Sequence, residues 1–463
     1  MGRPSDVAAA LPHPLWAEPG PDEHPLDFEP LPRSTSTDVV IVGAGYTGLW
    51  TALEINRRDP NRSIVVVDAE RVGFGASGRN GGWCSGLLPV SLGSLAGAWG
   101  RQGAIAVQQA AHAAVTEVGR AAHEFGIDCS FAHEGTFEAI TNPAQARRAA
   151  ALVDERERFG FDDVRWLDRA TAHGEIAVPG LLGALRNPNC AAVDPGRLVR
   201  GLAAAARARG ITIHESTRAT SFEDRRVVTE HGVIDAGAVI RATEAYSCEL
   251  PGMRRDLLPI YSLMIATEPL PASVWEEIGW RTRFTYNDGR RMLIYAQRTA
   301  DGRIAIGGRG ARYRFGSRIR PEFDLVDEVH RALADTVAQL FPAAAGAAIT
   351  HRWGGPLAAP RDWMPSVGFD AEQGYGWAGG YVGDGVAVAN VMGRTLADLV
   401  CATPSELTQL PWVGHRSRRW EAEPFRYVGL RSMLWLEQSI DRTEAAHGHS
   451  HVRSWFTERF MGH

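Results

Sequence analysis

A glycine cluster between a β-branched run and a helix-like stretch constrains this chain more than any other feature. Asp38–Val42 reads as a short buried strand of a parallel sheet. Gly43-Ala44-Gly45-Tyr46-Thr47-Gly48 follows, and Leu49–Arg58 has a helical pattern that Asp59-Pro60-Asn61 breaks. Ser63–Val67 is a second β-branched run, and it ends at Asp68, 20 residues beyond Gly48. A lone GxGxxG is weak evidence, but strand, helix and acid all stand at the required places. In this reading Gly43 permits the tight turn, Gly45 lets a pyrophosphate approach the backbone, and Gly48 lets helix and strand pack closely. The helix start offers N–H groups and a positive dipole to phosphates. The Asp68 carboxylate can accept hydrogen bonds from ribose hydroxyls, and it disfavours a 2′-phosphate, which argues against NADP.

Which dinucleotide binds is a question for the next segment. Residues 71–82 (RVGFGASGRNGG) hold five glycines in twelve positions. Such backbone is costly to order and makes sense where it packs against a flat ligand. A simple NAD domain has no need of this second loop, so it favours FAD. A third piece, Gly379-Gly380-Tyr381-Val382-Gly383-Asp384-Gly385, precedes the helical stretch Val386–Cys401. A helix dipole there suits the negative charge of a reduced flavin.

Composition narrows the chemistry. The chain has 463 residues, and all 49 of its Lys+Arg residues are arginine. Without lysine there is neither a pyridoxal-phosphate Schiff base nor a P-loop. A net charge of −5 gives no basic bulk for nucleic acid. The cysteines Cys84, Cys129, Cys190, Cys248 and Cys401 are scattered and odd in number, as in a reducing compartment. With no signal-peptide core and no long apolar run, a soluble, cytoplasmic protein with no membrane or nucleic-acid partner is expected. No metal site is expected. His447-Gly448-His449-Ser450-His451 reads as a solvated loop, and Trp412–Trp435 as a helix packed on the body rather than on a membrane.

Further along, Asp194-Pro195 opens a helix that runs to Arg209. Ile211–Glu215 and Ala238–Arg241 read as strands, and Thr220–Asp224 with Val227–His231 as a hairpin. Met292–Tyr295 and Arg303–Ile306 alternate as in an antiparallel sheet. The order implies an α/β chain (α+β overall) with an irregular arm at 1–35. A discontinuous FAD-binding domain is expected at 36–100, 186–256 and 346–402, and a substrate domain at 101–185 and 257–345. A helical extension closes the chain at 403–463.

Together the segments DVVIVGAGYTGLWTAL, VVVDAERVGFGASGRNGGWCSG, VIRATEAYSCELPG, LLPIYSLMIATEPLP, DGRIAIGGRG and GYGWAGGYVGDGVAVANVMGRTLADLV resemble the D-amino-acid oxidase superfamily. Within it they are most similar to the branch of gamma-glutamylputrescine oxidoreductases, kin of glycine and sarcosine oxidases. The resemblance implies a glutathione-reductase-type, Rossmann-like FAD domain with an inserted antiparallel sheet over the flavin. It places Gly43, Gly45 and Gly48 at the pyrophosphate and Asp68 at the adenosine ribose. It further sets Ser77, Arg79, Asn80, Gly81 and Gly82 along the path to the flavin, Thr243 near the cofactor, and Gly383, Asp384, Gly385 and Val386 at its pyrimidine end. The implied reaction is hydride transfer from the carbon of an amine or amino acid to flavin N5. The imine product hydrolyses to a carbonyl compound and an amine, and O2 reoxidises the flavin to give H2O2. Relatives place a lysine beside the flavin, which this chain lacks. Oxidase and dehydrogenase therefore both stay open, beside an NAD-dependent dehydrogenase and a non-catalytic flavin-binding subunit. A late cysteine tethers FAD in some relatives. Cys401 is expected within the closing helix facing the core, so FAD is expected to be non-covalent. The substrate-pocket candidates are Trp83, Tyr261, Tyr295, Arg361 and Asp362.

Overall fold

The computed structural model describes residues 7–20, 26–223, 225–309 and 313–448. The β-branched runs build a sheet in the order Ser366–Asp370, Tyr375–Gly379, Val233–Arg241, Thr35–Val42, Ile64–Val67 and Thr212–His214. All neighbours along this path are parallel except the first pair, and Val40 lies beside both Val239 and Val65. Ile64–Val67 is buried along its whole length, as strands covered on both faces must be. The hairpin Ala219–Glu223 and Arg226–Thr229 extends the sheet from Val233–Arg241.

Helix Tyr46–Arg58 packs on the sheet against helices Pro195–Ala208 and Gly385–Val400. The approach to the last is close. A Cβ on Gly393 would lie 2.7 Å from the Trp50 Cβ. Arg58 ties the same two helices at their ends, with 2.6 Å contacts to both Glu54 and Asp398. Pro195 begins its helix with the Asp194 side chain accepting from Arg197 N, so proline and cap act as expected.

A second, largely antiparallel sheet forms a roof. Its order is Ile349–Ala359, Leu258–Thr267, Ile304–Arg309, Ile294–Arg298, Thr285–Asn287, Thr136–Ile140, Gly183–Asn187 and Arg165–Asp168. Behind it Trp280 stacks on Phe284 at 5.4 Å, and Tyr286 and Phe341 complete an aromatic core. The block 346–402 is thus divided between sheets. Ile349–Ala359 pairs along Leu258–Thr267 in the roof, whereas Tyr375–Gly379 joins the first sheet. Nine residues of continuous antiparallel register, Leu258 to Ala266, outweigh sequence proximity to the glycine loop.

Described segments near both ends of the chain dock on the roof. In the arm, Leu11 N donates to Thr350 O at 2.9 Å, and Arg352 N donates back to Leu11 O at 3.0 Å. Trp16 is buried edge to face against Trp353 at 6.2 Å. In the tail, helix Phe425–His447 is held by Arg148–Glu444 at 2.7 Å and by Asp441, which accepts from Arg291 N and Met292 N. His447 ends this helix, and His449 to His451 lie outside the described residues. Among the described residues, no helix is long and apolar enough to cross a membrane.

Candidate functional site

The turn after Thr35–Val42 can exist only with glycine. Gly43 has φ +113°, and a Cβ on it would sit 2.4 Å from Ala242 O at the end of the neighbouring strand. Gly48 is a packing residue: its Cβ would lie 1.9 Å from Gly43 O. Gly45 is the N-cap of the helix and supplies no side-chain cap. Ser77 instead reaches over, its Oγ accepting from Tyr46 N at 2.9 Å. The acid at the end of the second strand also turns back to this loop. Asp68 Oδ2 accepts from Ala44 N at 2.7 Å and Oδ1 from Glu70 N at 2.9 Å. Burial pushes this carboxyl above its usual range, partly offset by those two N–H groups.

The loop 71–82 is ordered by its own side chains. Arg79 Nε donates to Phe74 O at 2.6 Å, and Arg79 Nη1 meets Asp324 at 2.5 Å and Gly354 O at 3.1 Å. Asn80 Nδ2 donates to Ala76 O and Ser77 O. Arg79 thereby joins the first sheet's loop to the roof.

These elements enclose a cavity of about 780 Å³, within the usual range for ligand sites. Gly43, Gly45, Asp68, Ser77, Arg79, Asn80, Thr243, Gly383, Gly385 and Val386 all line it. Helix Gly385–Val400 points its N-terminus here, without a capping bond from the Asp384 side chain. Gly48, Gly81, Gly82 and Asp384 do not line the cavity. Gly81 and Gly82 serve the contact with the roof instead. A Cβ on Gly81 would lie 2.5 Å from the Tyr295 ring, and one on Gly82 would lie 1.9 Å from Gln297 Nε2.

The five pocket candidates fall outside the lining. Trp83 and Tyr295 meet edge to face at 6.3 Å behind the glycine pair. Trp83 Nε1 donates to Ala296 O, and the Tyr295 hydroxyl pairs with Ser262 Oγ at 2.8 Å. Tyr261 is buried in the roof against Phe323, and its hydroxyl accepts from Arg320 N. Arg361 is committed to Glu421 at 3.0 Å and lies over the Trp420 ring. Asp362 accepts from His415 Nε2 at 2.8 Å. Both charged groups are therefore engaged with the tail segment and do not project into the cavity. Cys401 packs against the main core, as expected, but not from within the helix. It stands one residue past the helix, partly exposed, with Arg62 Nη1 at 4.0 Å from Sγ. None of the five cysteines lines the cavity.

Several lining residues had no local signal in the sequence. Glu244 sits in the left-handed region at φ +43° and folds its carboxyl back beneath the glycine loop. It accepts from Gly380 N at 2.9 Å and Tyr381 N at 3.2 Å, and burial pushes it up to about 7 despite those donors. Tyr381 in turn pairs with Thr47 Oγ1 at 2.8 Å. Tyr246, Asp324, Trp353 and the arm residues Pro12, His13 and Pro14 complete the wall.

The donor set fits a dinucleotide. Two helix starts face the space, bare backbone lines it at Gly43 and Gly45, and an acid with acceptor capacity stands at one end. Comparison with known proteins decides which dinucleotide. The profile of a family described as "FAD dependent oxidoreductase" matches residues 38–399, more than three-quarters of the chain.

The chain belongs to this family.

It is an FAD-dependent oxidoreductase, and its relatives agree with the fold. It is 28% identical to gamma-glutamylputrescine oxidoreductase of Escherichia coli, covering 88% of this chain and 95% of that one. It is 29% identical to the probable oxidoreductase OrdL of Rhizobium meliloti, covering 85% and 90%. Glycine oxidase from Geobacillus kaustophilus superposes with a TM-score of 0.69 at 21% identity, over 82% of this chain and 99% of the other.

Proposed function

We propose that the chain oxidises a small amine or amino acid at its C–N bond, with non-covalent FAD in the cavity and O2 as acceptor. The observation that carries this reading is the shared cavity: both glycine loops, Asp68 and the closing-helix N-terminus meet the roof sheet around one space. The printed names of relatives support the substrate class, since gamma-glutamylputrescine and glycine are both amines.

In this reading Gly43 and Gly45 take the pyrophosphate and Asp68 the ribose hydroxyls. Ser77, Arg79 and Asn80 hold the path toward the roof, and Gly383, Gly385 and Val386 face the pyrimidine end. Gly48, Gly81 and Gly82 serve by letting neighbouring segments approach. Bound FAD supplies the acceptor for a hydride equivalent from the carbon bearing nitrogen. The protein's part is to bind and orient a neutral amine and to exclude water. Tyr246 is suited to polar contact on the wall. Burial raises its hydroxyl above the ordinary range, with Arg79 opposing, so it stays protonated and can donate. Glu244 has a positioning task, pinning the backbone of Gly380 and Tyr381 where the closing helix begins. Any cationic side chain near the cofactor is an arginine or histidine, because the chain has no lysine.

The test is a broad panel of amines and amino acids incubated with the yellow holoenzyme in air. Peroxide formed together with a carbonyl product is the expected result. Flavin reduced anaerobically by an amine but inert to air would replace O2 with another acceptor. A colourless protein that reduces NAD would contradict the reading. Denaturation should release the flavin to the supernatant; colour retained in the precipitate would contradict non-covalent binding.

A further inference from the structure

Three side chains with metal-binding chemistry meet where the arm crosses the roof, and the proposed reaction uses none of them. The rings of His13 and His351 pack edge to face at 5.3 Å. Glu18 reaches back so that Oε1 lies 2.9 Å from His351 Nε2. One ligand atom from each of the three falls within 4.8 Å of the others.

The Nδ1 atom of each ring is held by a neighbouring group. His13 Nδ1 is 3.2 Å from Pro14 O, which can only accept, so in the neutral ring Nδ1 carries the hydrogen and Nε2 the lone pair. His351 Nδ1 is 2.9 Å from Thr350 Oγ1, a hydroxyl that also accepts from Arg303 at 3.1 Å and has Thr267 O at 3.2 Å as an acceptor. Without a metal, the Thr350 hydroxyl donates to Nδ1 and His351 Nε2–H donates to Glu18 Oε1 at 2.9 Å. With the hydroxyl turned to Thr267 O, Nδ1 donates instead, and Nε2 presents its lone pair beside the Glu18 carboxylate, which is the state a metal ion binds. Anchoring through Nδ1 is what ligating histidines show.

We propose that His13, Glu18 and His351 bind one divalent ion, zinc by ligand chemistry, which clasps the arm to the roof beside the cofactor cavity. Two imidazoles and a carboxylate are a zinc donor set, with a fourth position left for water. Zinc–ligand bonds of about 2.0–2.1 Å separate tetrahedral ligand atoms by roughly 3.3 Å. The spacing here brackets that value, and the Glu18 side chain, 49% exposed, is free to adjust. The clasp has a consequence for the cavity. Pro12, His13 and Pro14 form part of its wall, and Leu11 is already paired with the roof strand. Loss of the ion should loosen this wall and speed escape of FAD. The zinc claim stands apart from the substrate reading, and only the effect on FAD release rests on the cofactor.

The experiment uses full-length, FAD-loaded protein carrying His449→Ala and His451→Ala, which removes the competing tail histidines. After chelation and dialysis the protein is titrated with Zn2+ by calorimetry, and bound zinc is counted by atomic emission. The expected result is one zinc per chain, with affinity falling roughly ten-fold or more in Glu18→Gln and in His13→Ala. Hydrogen exchange in residues 7–18, and the rate of FAD release, should both rise on chelation. Co2+ in place of zinc should give the visible bands of a tetrahedral site. Failure to take up zinc would overturn the proposal and leave a His351–Glu18 ion pair. Zinc bound equally well by Glu18→Gln and His13→Ala would place the metal elsewhere and overturn it too. Glu18 is exposed, so its variant keeps the test valid if His13→Ala misfolds.

Discussion

Asp68 illustrates how one side chain can serve the fold and the ligand together. Two of its acceptor sites hold Ala44 N and Glu70 N, and the rest remain for the ribose hydroxyls that the proposed function assigns to it. Asp68→Ala should weaken FAD binding by ~10–100-fold, the equivalent of ~1.5–3 kcal/mol for hydrogen bonds to a charged group. Flavin fluorescence titration checks this. Gly45→Val should be more severe for the cofactor than for the fold. Its Cβ would lie 2.8 Å from Ser77 Oγ, and its methyls would fill space that lines the cavity. The expected product is a folded, colourless protein, seen by circular dichroism and absorbance. The placement of Gly43, Gly45, Gly48 and Asp68 around one turn was legible because all four sit within a single strand–helix–strand unit. Glu244 was not, because its task arises from a left-handed backbone and partners some 136 residues away. Arg361 and Asp362 misled for the converse reason. Adjacency to the glycine loop in sequence does not set the side on which a side chain emerges, and tail residues claim both.

At the level of elements, the arm is the least regular segment and yet closes one wall. It buries Trp16, whose Nε1 donates to Asn80 O at 2.8 Å. Trp16→Ala removes a buried aromatic, a change that typically costs about 3–5 kcal/mol. It should lower the melting temperature and expose the arm to proteases. Unchanged protection of the arm would show that Trp16 does not anchor it. The parallel strands were legible from β-branched runs, and their helices from caps and breakers. The membership of Ile349–Ala359 in the roof was not, because strand pairing is decided by partners far along the chain. Irregular backbone such as the arm carries no period at all, and its docking follows from Trp16 and Leu11 meeting complementary groups on the roof.

For the whole molecule, buried carboxyls set how stability responds to pH. Burial pushes Glu138 up to about 7, with Asp288 adding to the rise and Arg148 opposing it. The native state therefore keeps a proton that the unfolded chain has lost above the ordinary value of 4.5. Its contribution is fully present below that value and is lost as pH rises through about 7. The slope is at most about 1.4 kcal/mol per pH unit for one proton. Glu138→Gln should flatten the stability profile across this window, measured by denaturation at several pH values. A profile as steep as the parent's would show that Glu138 does not carry the effect. The absence of lysine bears on this scale too, since it leaves an arginine, a histidine or a different electron acceptor to serve reoxidation. The central claim is that one cavity holds FAD and brings an amine to it. Anaerobic titration of the holoenzyme with a panel of amines and amino acids, followed at the visible flavin band, tests it most directly. At least one amine should bleach the band completely. A band that survives every amine, on protein shown to hold stoichiometric FAD, would contradict the account.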